Sequence, residues 1–309
     1  MQAAPEAQTL QQILRGSLMA DLSGILIKAI AGFYYIEAGD GIYECKARGK
    51  FRKNNISPTV GDRLAFEDLG NGKGIVNNIL PRKNLLIRPP VANLDRLFIV
   101  SSHNTPSPNA LIIDRLTAIA IENKIEPIIV FNKSDLGDMS QWVEIYKKSG
   151  FKTISASGLS GEGCDEIFNL LKDKVSAFTG NSGVGKSSIL NKLMPELSLD
   201  VGDVSEKLGR GRHTTRHTEL FKVGGGYVAD TPGFSSLDIE KTMLLEKENL
   251  QFNFPEFANY LGKCKFSSCT HTVEKGCQII NAVNSGEISK SRFESYRSIY
   301  NELKAINKW

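Results

Sequence analysis

The sequence predicts a multidomain chain: an N-terminal OB-like β-barrel, a central α/β P-loop domain and a C-terminal helical metal-binding segment. Three observations predict it. Short β runs separated by glycine-rich turns fill Gly24 to Ile87, strand and helix patterns alternate from Arg96 to Ala229, and three of five cysteines gather with a histidine near the C-terminus.

The first block reads as strands at Ile25–Ile30, Phe33–Glu37, Gly41–Lys46, Arg63–Glu67 and Gly74–Ile79. Short strands at this density make a small barrel. An OB-like barrel that binds single-stranded nucleic acid is one reading, and an SH3-like barrel used for packing is another. The first is favoured because Lys46, Arg48, Lys50, Arg52 and Lys53 interleave with Phe51, pairing phosphate-seeking charge with a stacking ring.

Beyond the break at Arg88-Pro89-Pro90, strands at Arg96–Ser101, Pro127–Asn132, Lys152–Ser155 and Val175–Phe178 alternate with helices at Ala110–Asn123, Met139–Ser149, Gly163–Asp173 and Lys186–Met194. This alternation implies a parallel sheet covered on both faces. Strands around Glu219–Val223 and Tyr227–Ala229 complete it, and from Met243 the chain turns helical, ending in a basic amphipathic segment, Ser289–Trp309. The expected division is 1–18 leader, 19–88 barrel, 89–240 P-loop domain and 241–309 metal-binding helical domain. Residues 1–18 lack the basic start, apolar run and cleavage site of a secretory signal, and are expected to be a vector-derived leader or a natural extension.

The 309 residues carry a net charge of +4 with 41% hydrophobic and 23% charged content, and no apolar stretch is long enough to span a bilayer. A soluble protein without membrane contact is expected. Basic residues concentrate at Lys46–Lys53 and Lys207–Arg216, which favours a polyanionic partner. Clustered cysteines fit metal better than disulfides, and a reducing cytoplasm follows.

Gly180-Asn181-Ser182-Gly183-Val184-Gly185-Lys186-Ser187 satisfies GxxxxGK[ST] between an apolar strand and a helix that continues through Ser188. Its glycines let backbone N–H groups turn towards phosphate oxygens at a helix N-terminus. Lys186 is expected to reach the β- and γ-phosphates and Ser187 to supply a hydroxyl to Mg²⁺. Asp230-Thr231-Pro232-Gly233 follows a strand, where a DxxG element belongs: Asp230 would bond a Mg²⁺-bound water and the Gly233 N–H would meet the γ-phosphate. An ordinary strand-ending turn is the plainer alternative.

Asn132-Lys133-Ser134-Asp135 ends the strand beginning at Pro127. Guanine presents N1–H and N2–H₂ side by side, so the Asp135 carboxylate accepts both, whereas adenine offers no such pair. Asn132 is expected to tie this loop to the phosphate loop and base, and Lys133 to lay its stem along the purine. Ser155-Ala156 matches the weaker motif whose backbone N–H meets guanine O6.

Cys264-x4-Cys269-x-His271-x5-Cys277 brings three thiolates and one imidazole together, the ligand set of a closed structural Zn²⁺ site. Buried free cysteines beside a surface histidine are the plainer alternative. Cys45 and Cys164 are read as ordinary core or surface residues.

The motif order, base reader before phosphate loop, resembles the circularly permuted GTPases, with Ras-like motifs in the order G4-G5-G1-G2-G3. From about Met19 the chain is similar to the RsgA (YjeQ/YloQ) family, through GNSGVGKSSILN, GRHTT, DTPGF, NKSDL and the cysteine spacing. Ser268 and Lys275 depart from an acidic residue and a proline often found there, and neither removes a ligand. The resemblance implies a GTPase that binds the 30S small ribosomal subunit and 16S rRNA, acts late in assembly, is stimulated by the subunit and leaves after hydrolysis. A monomer is expected. It also favours Thr215 over Thr214 as the Mg²⁺ ligand in the switch I segment Leu208–His217. Phe234 stands where Ras-type enzymes carry a water-orienting glutamine, and the resemblance nominates His213 for that task; a structural or RNA-contacting histidine is the alternative. A different class remains open, a nucleic-acid-binding protein with GTP as a mainly structural ligand.

Overall fold

The computed structural model describes residues 22–39, 41–49, 51, 57–87, 90–197, 218–230 and 245–306. The expected leader, Lys50, Arg52, Lys53, the basic segment with His213, Thr214 and Thr215, and Gly233 with the rest of its loop lie outside the described residues.

The first unit holds β1 (Leu22–Ile30), β2 (Phe33–Ala38), β3 (Gly41–Ala47), β4 (Arg63–Gly70) and β5 (Lys73–Ile79). They pair β1-β2-β3-β5-β4, and β4 returns to β1, closing the barrel. Every pairing is antiparallel except β3 with β5. That order fits the OB-like reading rather than the SH3-like one. Alternate residues turn inward, and Leu26, Ile36, Cys45, Leu64, Phe66 and Val76 fill the interior. Gly74 is required there, since a Cβ would lie 2.8 Å from the Cys45 sulfur and from the Glu67 carbonyl. Asp62, wholly buried, is held by Arg82 through Nε at 2.7 Å and Nη2 at 2.8 Å and accepts from the Thr59 N–H at 2.7 Å.

In the second unit a short hairpin comes first, β6 (Leu85–Ile87) with β7 (Pro90–Ala92). The sequence shows only a break at Arg88-Pro89-Pro90, because three-residue strands carry no readable period and Pro90, lacking an N–H, reads as punctuation. The central sheet follows: β8 (Arg96–Ser102), β9 (Glu126–Asn132), β10 (Lys152–Ser155), β11 (Val175–Thr179), and β12 (Glu219–Val223) joined to β13 (Gly226–Asp230) through Gly224-Gly225. The order is β10-β9-β8-β11-β13-β12, and β10, β9, β8, β11 and β13 are mutually parallel. Ser102, Asn132, Ser155, Thr179 and Asp230 therefore end on one edge, where ligand-binding loops of such sheets gather.

Helices α1 (Ala110–Glu122), α2 (Ser140–Lys148), α3 (Cys164–Leu171) and α4 (Lys186–Leu193) connect these strands. Asn109 caps α1 by accepting from the Ile112 N–H at 3.2 Å. Phe98, Val100, Ile128, Val130, Ile154, Ile167 and Ile189 form the core. Strands buried on both faces explain the continuous apolar runs in their sequences.

The C-terminal region carries 3-10 turns at Leu250–Asn253 and Pro255–Phe257, then α5 (Gln278–Asn284) and α6 (Lys290–Ile306). Arg292, Phe293, Tyr296 and Ile299 are buried, the stripe of one helical face. Tyr296 packs against Phe254 and Phe257 with ring centroids 5.2 and 4.9 Å apart. Among the described residues no helix is long and apolar enough to cross a membrane.

Candidate nucleotide site and metal centre

The phosphate loop leaves β11 and enters α4 through three glycines at positive φ, Gly180 (146°), Gly183 (79°) and Gly185 (90°). A Cβ at Gly180 would lie 2.2 Å from the Val100 carbonyl oxygen, and one at Gly185 would lie 2.2 Å from Asn132 Nδ2. Close approach, as well as backbone conformation, requires glycine. Lys186 opens α4 and folds back, its Nζ donating to the carbonyls of Gly180 at 2.7 Å and Asn181 at 2.9 Å. Burial pulls its ammonium down to about 8. Among the described residues no carboxylate pairs with it, an environment that fits polyphosphate. Ser187 is buried in the first turn of α4, with Val184 buried before it and Ser188 half-buried after it. Ser182 is exposed.

Asn132, 2% exposed, joins three loops. Its Nδ2 donates to the Val184 carbonyl at 2.8 Å and the Gly185 carbonyl at 3.3 Å, and its Oδ1 accepts from the Gly158 N–H at 2.9 Å. Lys133 follows in the left-handed region and donates from Nζ to the Thr105 carbonyl at 2.8 Å. Asp135 is exposed, with Oδ1 accepting from the Ser157 hydroxyl. Ser157 is fully buried, and its oxygen accepts from the Ser160 N–H at 3.1 Å. One carboxylate oxygen of Asp135 is thereby fixed.

Ser155-Ala156 differs from the sequence expectation. Ser155 ends β10 with an exposed side chain, and the Ala156 N–H is already bonded to the Phe131 carbonyl at 2.9 Å. It is not free for a base. The pair facing Asp135 and Asn132 lies two residues on, at Ser157-Gly158. Sequence reasoning missed it because Ser-Ala is the commoner form of a weak dipeptide and Ser-Gly reads as a turn. Gly158 packs so tightly that a Cβ would lie 2.8 Å from the Ile189 backbone nitrogen.

Asp230 ends β13, whose parallel neighbour β11 leads into the phosphate loop, with Ala177 opposite Ala229. That register sets Asp230, the expected start of the DxxG element, level with Phe178, two residues before Gly180.

In the C-terminal region the ligand atoms of Cys264, Cys269, His271 and Cys277 all lie within 4.8 Å of one another. His271 Nδ1 is 3.5 Å from the Cys264 sulfur and 3.4 Å from that of Cys277. Three sulfurs and one imidazole nitrogen converging in this way suit a soft or borderline metal ion. His271, at φ 59°, points Nε2 to Gln251 Oε1 at 3.0 Å. The Gln278 N–H donates to the Cys264 sulfur at 3.4 Å. Glu274 accepts from the backbone N–H groups of Thr270, Thr272 and Val273 at 2.9, 2.9 and 3.0 Å, which clamps the loop between the second and third cysteines. Neither Gln251 nor Glu274 was legible in advance. Gln251 lies 20 positions from His271, and the Thr-x-Thr-x-Glu pattern is a signal only once the loop conformation is known.

The chain matches the family model described as RsgA GTPase over residues 79–240 and the RsgA N-terminal domain over 23–76. It is 43% identical over 294 residues to the small ribosomal subunit biogenesis GTPase RsgA of Caldanaerobacter subterraneus subsp. tengcongensis, covering 94% of this chain and 98% of that protein. The Geobacillus thermodenitrificans protein of the same name is 42% identical over 287 residues, with 91% and 97% covered. Among solved structures, YjeQ from Thermotoga maritima aligns with a TM-score of 0.79 at 36% identity, covering 92% of this chain and 99% of that one. YloQ, described as a circularly permuted GTPase, aligns at 0.78 with 33% identity and coverage of 94% and 97%. This chain, in which the base reader precedes the phosphate loop and a five-stranded barrel and a Cys3His cluster accompany them, belongs to the RsgA family of GTPases.

Proposed function

We propose that this GTPase acts on the 30S ribosomal subunit late in its assembly, hydrolysing GTP to GDP and phosphate with turnover stimulated by the subunit. The observation that carries the nucleotide half of the reading is Asn132, whose one side chain fastens the base-reading loop to the phosphate loop. The names of the curated relatives support the ribosomal half.

In this reading the amides from Gly180 to Ser188 receive the phosphates, with Lys186 on the β- and γ-phosphates. Asp135 reads guanine N1–H and N2–H₂ while Ser157 fixes its orientation, and Lys133 covers one purine face. Mg²⁺, which neutralises β- and γ-phosphate oxygens when bound, would be held by Ser187 and Thr215, with Asp230 reaching it through water and Gly233 meeting the γ-phosphate. Phe234 has no group to orient water, so His213 is proposed to do so when switch I closes. Cys264, Cys269, His271 and Cys277 hold one structural Zn²⁺, a closed four-ligand set with no place for substrate. Barrel and metal-bearing region contact 16S rRNA, and the chain works as a cytoplasmic monomer.

Phosphate release measured with and without purified 30S subunits tests this reading, in the wild type and in His213→Ala. Stimulation by the subunit is expected, and it should be lost in the variant. Equal rates with and without subunits would instead favour GTP as a structural ligand. Stimulation that survives intact in His213→Ala would remove the water-positioning role.

A further inference from the structure

An open cleft of about 320 Å³ adjoins the metal knot, with Cys264, Cys269 and His271 forming its inner wall. Its walls include Lys247, Gln251, Phe266, Ser268, Tyr296 and Tyr300. The volume falls at the lower end of the roughly 300 to 1,000 Å³ of small-ligand sites, enough for one nucleoside but not for a helix. Tyr296 forms a fixed floor: it is 1% exposed, its hydroxyl donates to the Thr270 carbonyl at 2.9 Å, and Tyr300 stacks beside it with centroids 6.1 Å apart. Phe266 stands at the rim, 50% exposed.

The charge around the cleft points to the ligand. Lys265 carries its ammonium 5.6 Å from the centre of the Phe266 ring. Its N–H donates to the Gly276 carbonyl at 3.2 Å, which sets the loop of Lys263 and Lys265 against that of Lys275. All three lysines are exposed, and none has an ion-pair partner among the described residues. The carboxylates nearby are occupied. Glu274 is spent on the loop's own N–H groups, and Glu248, itself part of the cleft wall, is paired with Lys247 at 3.1 Å.

We propose that this cleft takes one unstacked base of single-stranded RNA, with Phe266 and Tyr300 as stacking surfaces, Ser268 as an edge contact, and Lys263, Lys265 and Lys275 on the flanking phosphates. It rests on the ribosomal reading for the kind of partner, and adds a base-binding site. Aromatic rings serve every base, so the site selects exposed, unpaired nucleotides rather than a sequence.

The test uses the metal-loaded full chain and a single-stranded RNA of roughly 12 nucleotides carrying one 2-aminopurine, with a duplex of equal length as control. Quenching of 2-aminopurine and anisotropy report stacking and affinity, metal content is checked for every variant, and stimulation of GTP hydrolysis by 30S subunits is measured on the same preparations. Phe266→Ala and Tyr300→Ala should each weaken single-strand binding about 5- to 100-fold and abolish quenching at unchanged metal content. Phe266→Trp should restore both. If Tyr300→Ala loses metal, Phe266→Ala alone decides, since its ring is half exposed. Unchanged affinity in Phe266→Ala, equal affinity for the duplex, or no wild-type binding to the oligonucleotide overturns the cleft. Subunit-stimulated hydrolysis in any of those cases leaves the wider function standing, and its absence takes down that reading separately.

Discussion

The Asn132 amide donates to the Val184 carbonyl over 2.8 Å, joining a strand end to a loop 52 positions later. Its Oδ1 holds the Gly158 N–H, so a single buried side chain sets the spacing between guanine recognition and phosphate recognition. Asn132→Ala would leave a buried carbonyl and amide unmatched, at about 1 to 3 kcal/mol for each group. GDP and GTP affinities should fall roughly 10- to 100-fold, read by titration of a fluorescent guanine nucleotide. Wild-type affinity in the variant would show that the loops hold their spacing without it.

Ser157 donates to one oxygen of Asp135, so the carboxylate is oriented before any base arrives. Ser157→Ala should weaken GDP binding by about tenfold, the value of one hydrogen bond to a charged group. Asp135→Asn should do more than weaken it. An amide offers one donor and one acceptor, which mismatches guanine but matches the N1–H and C2 carbonyl of xanthine. Competition between GDP and XDP should therefore reverse its order in Asp135→Asn, and retained guanine preference would argue against Asp135 as the base reader.

Lys186 supplies a pH signature. Burial lowers its pKa to about 8 in the nucleotide-free protein, whereas bound phosphates stabilise the ammonium and raise it. Above pH 8 binding must take up a proton, so affinity falls as pH rises, with a limiting slope of about tenfold per unit. For folding the sign is opposite. The native pKa lies below that of the unfolded chain, so stability of the nucleotide-free protein rises with pH between about 8 and 10.5. GDP affinity measured from about pH 7 to pH 9 should bend downward near 8 in the wild type and stay flat in Lys186→Arg. A wild-type profile without the bend would refute the assignment.

The parts legible in the sequence were those with a local period or a spaced motif. β1 to β5 alternate apolar and polar residues with one face inside, and β8, β9 and β11 are apolar runs bounded by turn residues. The phosphate loop and the cysteine spacing are rigid enough to be read as strings. What escaped depends on distant pairing. Gln251 meets His271 only after the 3-10 turn and the metal loop fold together, and Ser157 replaces Ser155 because β10 ends one residue before the loop that faces Asp135. The buried Arg292 on α6 was read only as part of a basic amphipathic face, since its partners lie 36 and 178 positions away.

The metal loop predicts a graded response. Purified protein should contain one zinc per chain by elemental analysis, and Cys277→Ser should lose it together with the compactness of the C-terminal region, because binding energy of a closed site is folding energy. Gln251→Ala keeps all four ligands but frees the Nε2 side of His271. Loss of such a partner costs about 10- to 100-fold in metal affinity, measurable by competition with a chromogenic chelator. An unchanged affinity would reduce Gln251 to a packing residue.

Arg292 makes the sharpest prediction about stability. Its guanidinium is wholly buried, with Nη1 2.6 Å from Asp114 Oδ1 on α1 and Nε 2.7 Å from Glu256 Oε1, and it lies over the rings of Phe254 and Phe151 at 4.5 and 5.0 Å. The paired carboxylates push its pKa above the ordinary arginine value, against the effect of burial. Arg292→Met would strand two buried carboxylates, at about 3 to 5 kcal/mol. Removing the charges together, in Asp114→Asn/Glu256→Gln/Arg292→Met, should cost less than the sum of the single substitutions, because no charge is left unmatched. Urea unfolding of the full chain gives the stabilities, and hydrogen exchange shows where the loss falls. Since Arg292 ties α6 to α1, exchange should rise in α6 while the α4 amides beside the phosphate loop keep their protection. If Arg292→Met were as stable as the wild type, the cluster would be a bystander to packing by Phe254, Phe257 and Tyr296, whose aromatic contacts would then hold the C-terminal region in place.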